Sequence, residues 1–295
     1  MRITINTIIT HIVQNSTSLI LWGTDSKTYE ITFIPFEKKQ LFSVADGFTS
    51  QNNTKNISNI QVYVNEFLGT YALQIEIGGQ KLFIVIDTLA PTFWVQGDKC
   101  IDTEVGLFPG SGAIGMGRNS SQGYPISNST PSPILALYQQ KAISNNLFSL
   151  YLGRIPDPFR EPNATIEQSL LTLGRIDTTL YTGDINYFSV KDKDNWEIDL
   201  DDVIVNGKKL GIKRTIILDT GSPNIFMPPK DSSTINKLIP DLGSGYFTSD
   251  PCMSSIYAGE GTTWYLGGTF FRSIYAVFDY ENSRVGLAHA APRKS

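Results

Sequence analysis

A mainly β chain folded as two related lobes, with few short helices, is what the sequence predicts. Three observations predict it. Short runs of alternating apolar and polar residues recur between Gly- and Asn-rich turns. The 295 residues include 25 Gly, 13 Tyr and 16 Phe, a composition that suits turns and pleated strands. Third, one pattern occurs twice. The apolar run 83–86 ends in Asp87-Thr88-Leu89-Ala90-Pro91-Thr92-Phe93-Trp94, and the run 216–218 ends in Asp219-Thr220-Gly221-Ser222-Pro223-Asn224-Ile225-Phe226. A short buried strand that delivers a carboxylate into a turn, present in each half, lets a pseudo-symmetric molecule bring two acids together to share one proton. The pairs Asp102-Thr103 and Asp177-Thr178 lack the apolar lead-in, so the dipeptide alone is not the signal.

In chain order, residues 1–60 read as an extension, either a prosegment or extra strands, with 29–33 alternating like a strand and 50–59 polar enough for a linker. Residues 71–77 alternate, Gly78-Gly79 turns the chain, and 82–86 reads as a buried strand, a hairpin pattern. Pro131-Ser132-Pro133 opens a helical stretch over 134–141, because Pro and Ser suit a helix start and Ile134, Leu135, Leu137 and Tyr138 are apolar. Strands are expected at 148–152, 171–174, 185–188 and 196–205, and a pair between 264 and 288 flanks Phe270-Phe271-Arg272. Trp94, Trp196 and Trp264 are candidate core residues. The organisation that follows is an extension at 1–60, an N-terminal lobe at 61–180 and a C-terminal lobe at 181–295.

The same residues exclude several chemistries. A net charge of −4 and a pI near 5.3 leave no basic face for nucleic acid. Two Cys and two His, with no HExxH, GxSxG or Walker A pattern, leave little for zinc, serine-triad or P-loop catalysis. No apolar stretch reaches membrane-spanning length. Sequons at Asn15, Asn52, Asn56, Asn119, Asn128 and Asn163 favour a secreted glycoprotein or a lysosome-like, endomembrane compartment, although residues 1–22 make a poor signal peptide.

Taken in order, these segments resemble the pepsin family of aspartic endopeptidases (peptidase A1 type). The resemblance covers most of residues 68–290. It rests on both Asp-Thr loops, on Ala113-Ile114-Gly115 as an apolar-apolar-Gly crossing, and on Leu147 to Leu152. It continues through Leu173-Gly174 with Tyr181-Thr182-Gly183, then Trp196-Glu197-Ile198, the intact Asp219-Thr220-Gly221-Ser222, and the C-terminal series from Trp264 to Ala288. It implies a bilobal, pseudo-twofold acid-protease fold and a peptide hydrolase with a polypeptide substrate, no cofactor, no metal and no need for a dimer. Asp87 and Asp219 would be the catalytic pair. Thr88 and Thr220 would cross-link the two loops. Gly221 would let a backbone N–H approach the carboxylates, and Ser222 would hydrogen-bond Asp219.

The chain departs from that pattern in two places. Leu89 stands where the family has Gly, and Ala90 where it has Ser, which puts a bulky side chain under the loop at a backbone angle expected to disfavour Leu and removes a hydroxyl from Asp87. The stretch 95–112 is too short for the family's flap hairpin and holds no Tyr; Cys100 lies there, and Cys252 lies in a second shortened stretch. Three readings follow: an aspartic endopeptidase of weak turnover, a catalytically inactive relative that binds peptide in its cleft, or a shortened gene product.

Overall fold

In the computed structural model, the described residues are 59–65, 69–77, 80–91, 93–96, 112–118, 132–153, 167–205, 208–238 and 255–292, with the backbone of strands at 2–4, 7–8, 18–22 and 28–33. Cys100, Cys252, the six sequons and the shortened stretch 97–111 lie outside them. The architecture is mainly β with three short helices among the described residues, Pro133–Gln139, Pro229–Asn236 and Gly268–Phe271.

The strand that ends in the first Asp-Thr, Gln80–Asp87, pairs antiparallel with Thr70–Ile77. It also pairs parallel with Gly112–Gly115, so that Asp87 sits opposite Gly115. Trp94–Gln96 returns antiparallel to that crossing strand. The second half repeats the arrangement. Arg214–Leu218 lies parallel to Trp264–Leu266, with Leu218 opposite Leu266, and Ile225–Met227 returns antiparallel to Trp264–Leu266. The twofold repetition read from Asp-Thr is therefore a repetition of three-strand units. Each threads one strand beneath the loop that carries its carboxylate.

Burial follows the pleat. In Gln80–Asp87 only Ile84, Val85 and Ile86 are buried. Phe83, expected in the core, is instead exposed and packs edge-on against Tyr63 at 5.2 Å between ring centres. Successive side chains of a strand face opposite sides, so an apolar run of five need not be buried throughout. Trp196 and Trp264 are buried, while Trp94 is half-buried. The helix at 133–139 starts as its sequence requires: Pro133 occupies the first turn, and the Ser132 hydroxyl accepts from the Leu135 N–H at 3.2 Å.

The end of the chain holds three strands rather than two: Trp264–Leu266, Ile274–Asp279 and Arg284–Ala290. The last two do not join the five-stranded sheet of their own half. Ile274–Asp279 pairs with Leu147–Tyr151, and Arg284–Ala290 lies between it and the edge strand Tyr181–Ser189. They belong to the 14-stranded sheet that also carries Gln80–Asp87 and the N-terminal strands. Phe148, Trp196 and Phe278 meet in the core here, with Phe148 stacked on Phe278 at 4.6 Å and Trp196 edge-on at 5.2 Å. Residues 1–33 contribute strand pairings as well: Arg2–Thr4 with Trp94–Gln96, and Thr28–Phe33 with Thr70–Ile77.

Candidate active site

Each carboxylate is placed by the end of a buried parallel strand. Beyond Ile84–Ile86 and Ile216–Leu218 the chain turns, and the two turns meet through threonine. The Thr88 N–H donates to Thr220 Oγ1 at 3.1 Å, and the Thr220 N–H donates to Thr88 Oγ1 at 3.0 Å. The hydroxyls then donate across the junction, Thr88 to the Leu218 carbonyl at 2.7 Å and Thr220 to the Ile86 carbonyl at 2.8 Å. Both threonines are fully buried. Four satisfied bonds in a dry setting fix the two loops against each other, because an unpaired buried donor or acceptor costs more than a made bond gains.

The carboxylates are held differently. Asp87 Oδ1 accepts two backbone N–H groups, from Leu89 at 2.9 Å and Ala90 at 2.8 Å. Asp219 Oδ1 accepts the Gly221 N–H at 3.0 Å. Gly221 also touches the other acid: a Cβ added there would stand 2.7 Å from Asp87 Cγ and 2.8 Å from its Oδ2. Glycine is required at this position for space, since its backbone is not among the left-handed residues. Leu89 is not left-handed either. The backbone strain expected at Leu89 is thus absent, and what distinguishes it from Gly221 is its side chain.

Ser222 differs from its expected role. Its hydroxyl donates to the Asn224 carbonyl at 3.3 Å rather than to Asp219. The support for Asp219 comes from the backbone N–H groups of Gly221 and Ser222, which lower its pKa. A hydroxyl two residues from a turn carbonyl has a local bond available, and here it takes it.

Burial raises the Asp219 pKa first and the nearby Asp87 charge second, taking it to about 7. Burial raises the Asp87 pKa too, against the Ala90 and Leu89 N–H groups. Two buried acids that repel each other retain a proton between them; the aspartic-protease dyad is itself the general example of this effect. Asp219, whose pKa burial and the Asp87 charge together raise to about 7, is the one that keeps the proton, and Asp87 is the one that ionises.

The crossing strand of the first unit is anchored from the far half of the chain. The Met116 N–H donates to the Asp87 carbonyl at 2.7 Å, while the Met116 carbonyl accepts from Trp196 Nε1 at 2.9 Å and from the Tyr280 hydroxyl at 2.8 Å. The second loop is closed by its own chain: Gly267 and Gly268 donate to the carbonyls of Asn224 and Ser222. A hollow of about 360 Å³ opens beside Asp219, lined by Asp219, Ser222, Phe226, Gly259, Glu260, Thr263 and Tyr265. A larger hollow of about 480 Å³, at Tyr138, Gln139, Lys141, Ile143 and Ser144, contains no carboxylate and is remote from the site in sequence and sheet. The sequence reading did not reach Phe226, Glu260 or Tyr265 as cleft residues. Tyr265 was within reach, since it alternates with buried Trp264 and Leu266 on the crossing strand.

A mainly β fold with a carboxylate at each of two linked, strand-ending turns defines the pepsin-like fold class. The eukaryotic aspartyl protease family matches residues 103–246 and 241–290. The chain belongs to that family. Over 221 residues it is 30% identical to a probable aspartic-type endopeptidase CTSD of Arthroderma benhamiae, an alignment covering 61% of this chain and 41% of the relative. It is 28% identical over 230 residues to the aspartic-type endopeptidase ctsD of Aspergillus fumigatus, covering 65% and 46%. Against pepsin A of Sus scrofa it is 28% identical over 239 residues, covering 64% and 58%. The chain thus spans about half the length of these curated relatives. Among the described residues no helix is long and apolar enough to cross a membrane.

Proposed function

We propose that the chain hydrolyses peptide bonds as an aspartic endopeptidase. Asp87 and Asp219 are its catalytic pair, with Thr88, Thr220, Gly221 and Ser222 in support, in a cleft between lobes at 61–180 and 181–295. The observation that carries the reading is the Gly221 backbone, which donates to Asp219 and leaves no room for a Cβ against Asp87. One glycine in contact with both acids supports the reading that they share one reacting centre.

Ionised Asp87 is the general base. It takes a proton from a water held between the acids as the water oxygen attacks the scissile carbonyl carbon. Protonated Asp219 hydrogen-bonds the carbonyl oxygen and passes its proton to it as negative charge develops there, which gives a gem-diol intermediate. Collapse of the tetrahedral intermediate returns a proton from the hydroxyl oxygen to Asp219, while the proton on Asp87 passes to the departing amide nitrogen. The carbon–nitrogen bond breaks and the pair again holds one proton. The threonine cross-links keep both groups fixed through the cycle, so little reorganisation is needed in the transition state.

A second reading, peptide binding without turnover, is favoured by one observation. Ala90 gives Asp87 a backbone N–H but has no hydroxyl to orient it. Purified protein incubated with a denatured protein at acid and neutral pH, with and without a statine-type inhibitor, separates the two. Inhibitor-sensitive cleavage that falls on the order of 10²–10⁴-fold in Asp219→Asn supports the hydrolase. Tight statine binding with no cleavage supports the binding protein. The sequons favour a secreted or lysosome-like setting for either.

A further inference from the structure

We propose that Glu260 makes the hollow beside Asp219 a subsite for a basic side chain, Lys or Arg, of a bound polypeptide. The inference rests on the hydrolase reading for its substrate, but its chemistry comes from the hollow itself. Strand Ile256–Ala258 runs parallel to Ile225–Met227. Beyond it the chain is pinned, because the Gly259 N–H donates to the Met227 carbonyl at 2.7 Å and a Cβ on Gly259 would come within 3.2 Å of Phe226 Cβ. Gly261 then turns at a positive φ of 76° with open space around it, which suits a tight reversal before Trp264–Leu266. Glu260, between the pinned glycine and the turning one, is presented to the hollow that Asp219 also lines.

Among the described lining residues, the one carboxylate besides Asp219 is Glu260. Among the described residues none lining the hollow is Lys or Arg, and none forms an ion pair with Glu260, so its carboxylate is available to a ligand. Phe226 and Tyr265 supply the rest of the wall that a long side chain needs. A Lys or Arg buries its methylene stem on such surface and keeps its charge at the solvent-facing rim. Glu260 is exposed, so the ion pair works in high dielectric and contributes a preference rather than an absolute requirement.

The experiment uses the intact protein and a set of otherwise identical peptides carrying Lys, norleucine or Glu in turn at each of the positions flanking the scissile bond. The readout is the ratio of kcat/KM between partners of a set. At one position the Lys peptide is expected to exceed the norleucine peptide by about 2- to 5-fold. Added salt should shrink that ratio. Glu260→Gln should bring it to about unity, and Glu260→Arg should move the preference to the Glu peptide. Equal cleavage at every position overturns the role of Glu260 and leaves the hydrolase standing. If no peptide is cut, the hydrolase reading fails, and the same comparison is made by equilibrium binding of statine peptides carrying Lys or norleucine. A Lys preference that Glu260→Gln removes then supports the subsite; equal binding, or none, overturns it.

Discussion

The two Asp-Thr loops begin alike and end differently. Both leave a buried parallel strand through Asp-Thr, and their threonines make the same pair of bonds to each other. After that the second loop keeps Gly221, whose bare backbone lies against Asp87, while the first loop has Leu89 at the matching position. The first loop compensates with the N–H groups of Leu89 and Ala90, both on one oxygen of Asp87. The difference separates two tasks that a symmetric pair would share. Linking the loops needs only the threonines, which are intact. Orienting the acids falls to the backbone N–H groups that follow each of them, because the Ser222 hydroxyl faces elsewhere and Ala90 has none; what separates the loops is the space that Gly221 leaves and Leu89 fills.

The comparison is tested most severely by the pH dependence of stability. Asp219 would lose its proton near 3.8 when unfolded but near 7 in the fold. Between those values the folded state holds the extra proton, so stability falls as pH rises. The contribution is complete below the lower value and gone above the upper one. Thermal melts from pH 4 to pH 7 should show a decline on the order of a few kcal/mol, and Asp219→Asn should flatten it and be more stable than the parent at pH 7. Asp87→Asn should flatten it only in part, because burial rather than the neighbouring charge is the larger cause of the Asp219 shift. A decline of equal size in all three proteins would mean that the two acids are not held differently.

Next in size is the shared junction. Thr88→Val strands the Leu218 carbonyl and the Thr220 N–H; Thr220→Val strands the Ile86 carbonyl and the Thr88 N–H. Each orphaned buried group costs about 1–3 kcal/mol. Denaturant unfolding should therefore place both variants about 2–4 kcal/mol below the parent, with the double variant less damaged than the sum. A large loss in one variant and none in the other would break the symmetry of the link. The smallest effect is repair of the first loop. Ala90→Ser restores the residue that Ser222 supplies in the second loop, where the hydroxyl bonds the Asn224 carbonyl and not the acid, so kcat/KM for a cleaved peptide should change by less than about twofold. A rise of about tenfold would mean that a hydroxyl in the first loop orients Asp87 where its counterpart does not orient Asp219.

The parts of this arrangement that are local could be read directly. Asp87, Thr88, Asp219 and Thr220 follow from a repeated strand-to-turn pattern, and Ser132-Pro133 announces a helix start. Helix Pro229–Asn236 was not legible, because PKDSSTIN has few apolar residues and its start has no side-chain cap. The partner of Ile274–Asp279 had no local signal at all. Its pleat says that it is a strand with buried faces, while the choice of Leu147–Tyr151 is made by packing of Phe148, Trp196 and Phe278 across distant segments. Glu260 escaped for a related reason: an exposed Glu between two glycines reads as a turn, and only the parallel placement of Ile256–Ala258 beside Ile225–Met227 brings it near Asp219.

That late-sequence pairing has a consequence for biosynthesis. Leu147–Tyr151 is bonded on one side by Ser169–Leu173 and on the other by Ile274–Asp279. While the ribosome is still adding the second half, that outer side is a bare ladder of peptide groups flanked by the Phe148 ring, open to any passing strand. Burial of that side must wait until Ile274–Asp279, more than a hundred residues further on, has been made. Until that strand arrives, the open side of Leu147–Tyr151 is the place where a wrong pairing would start.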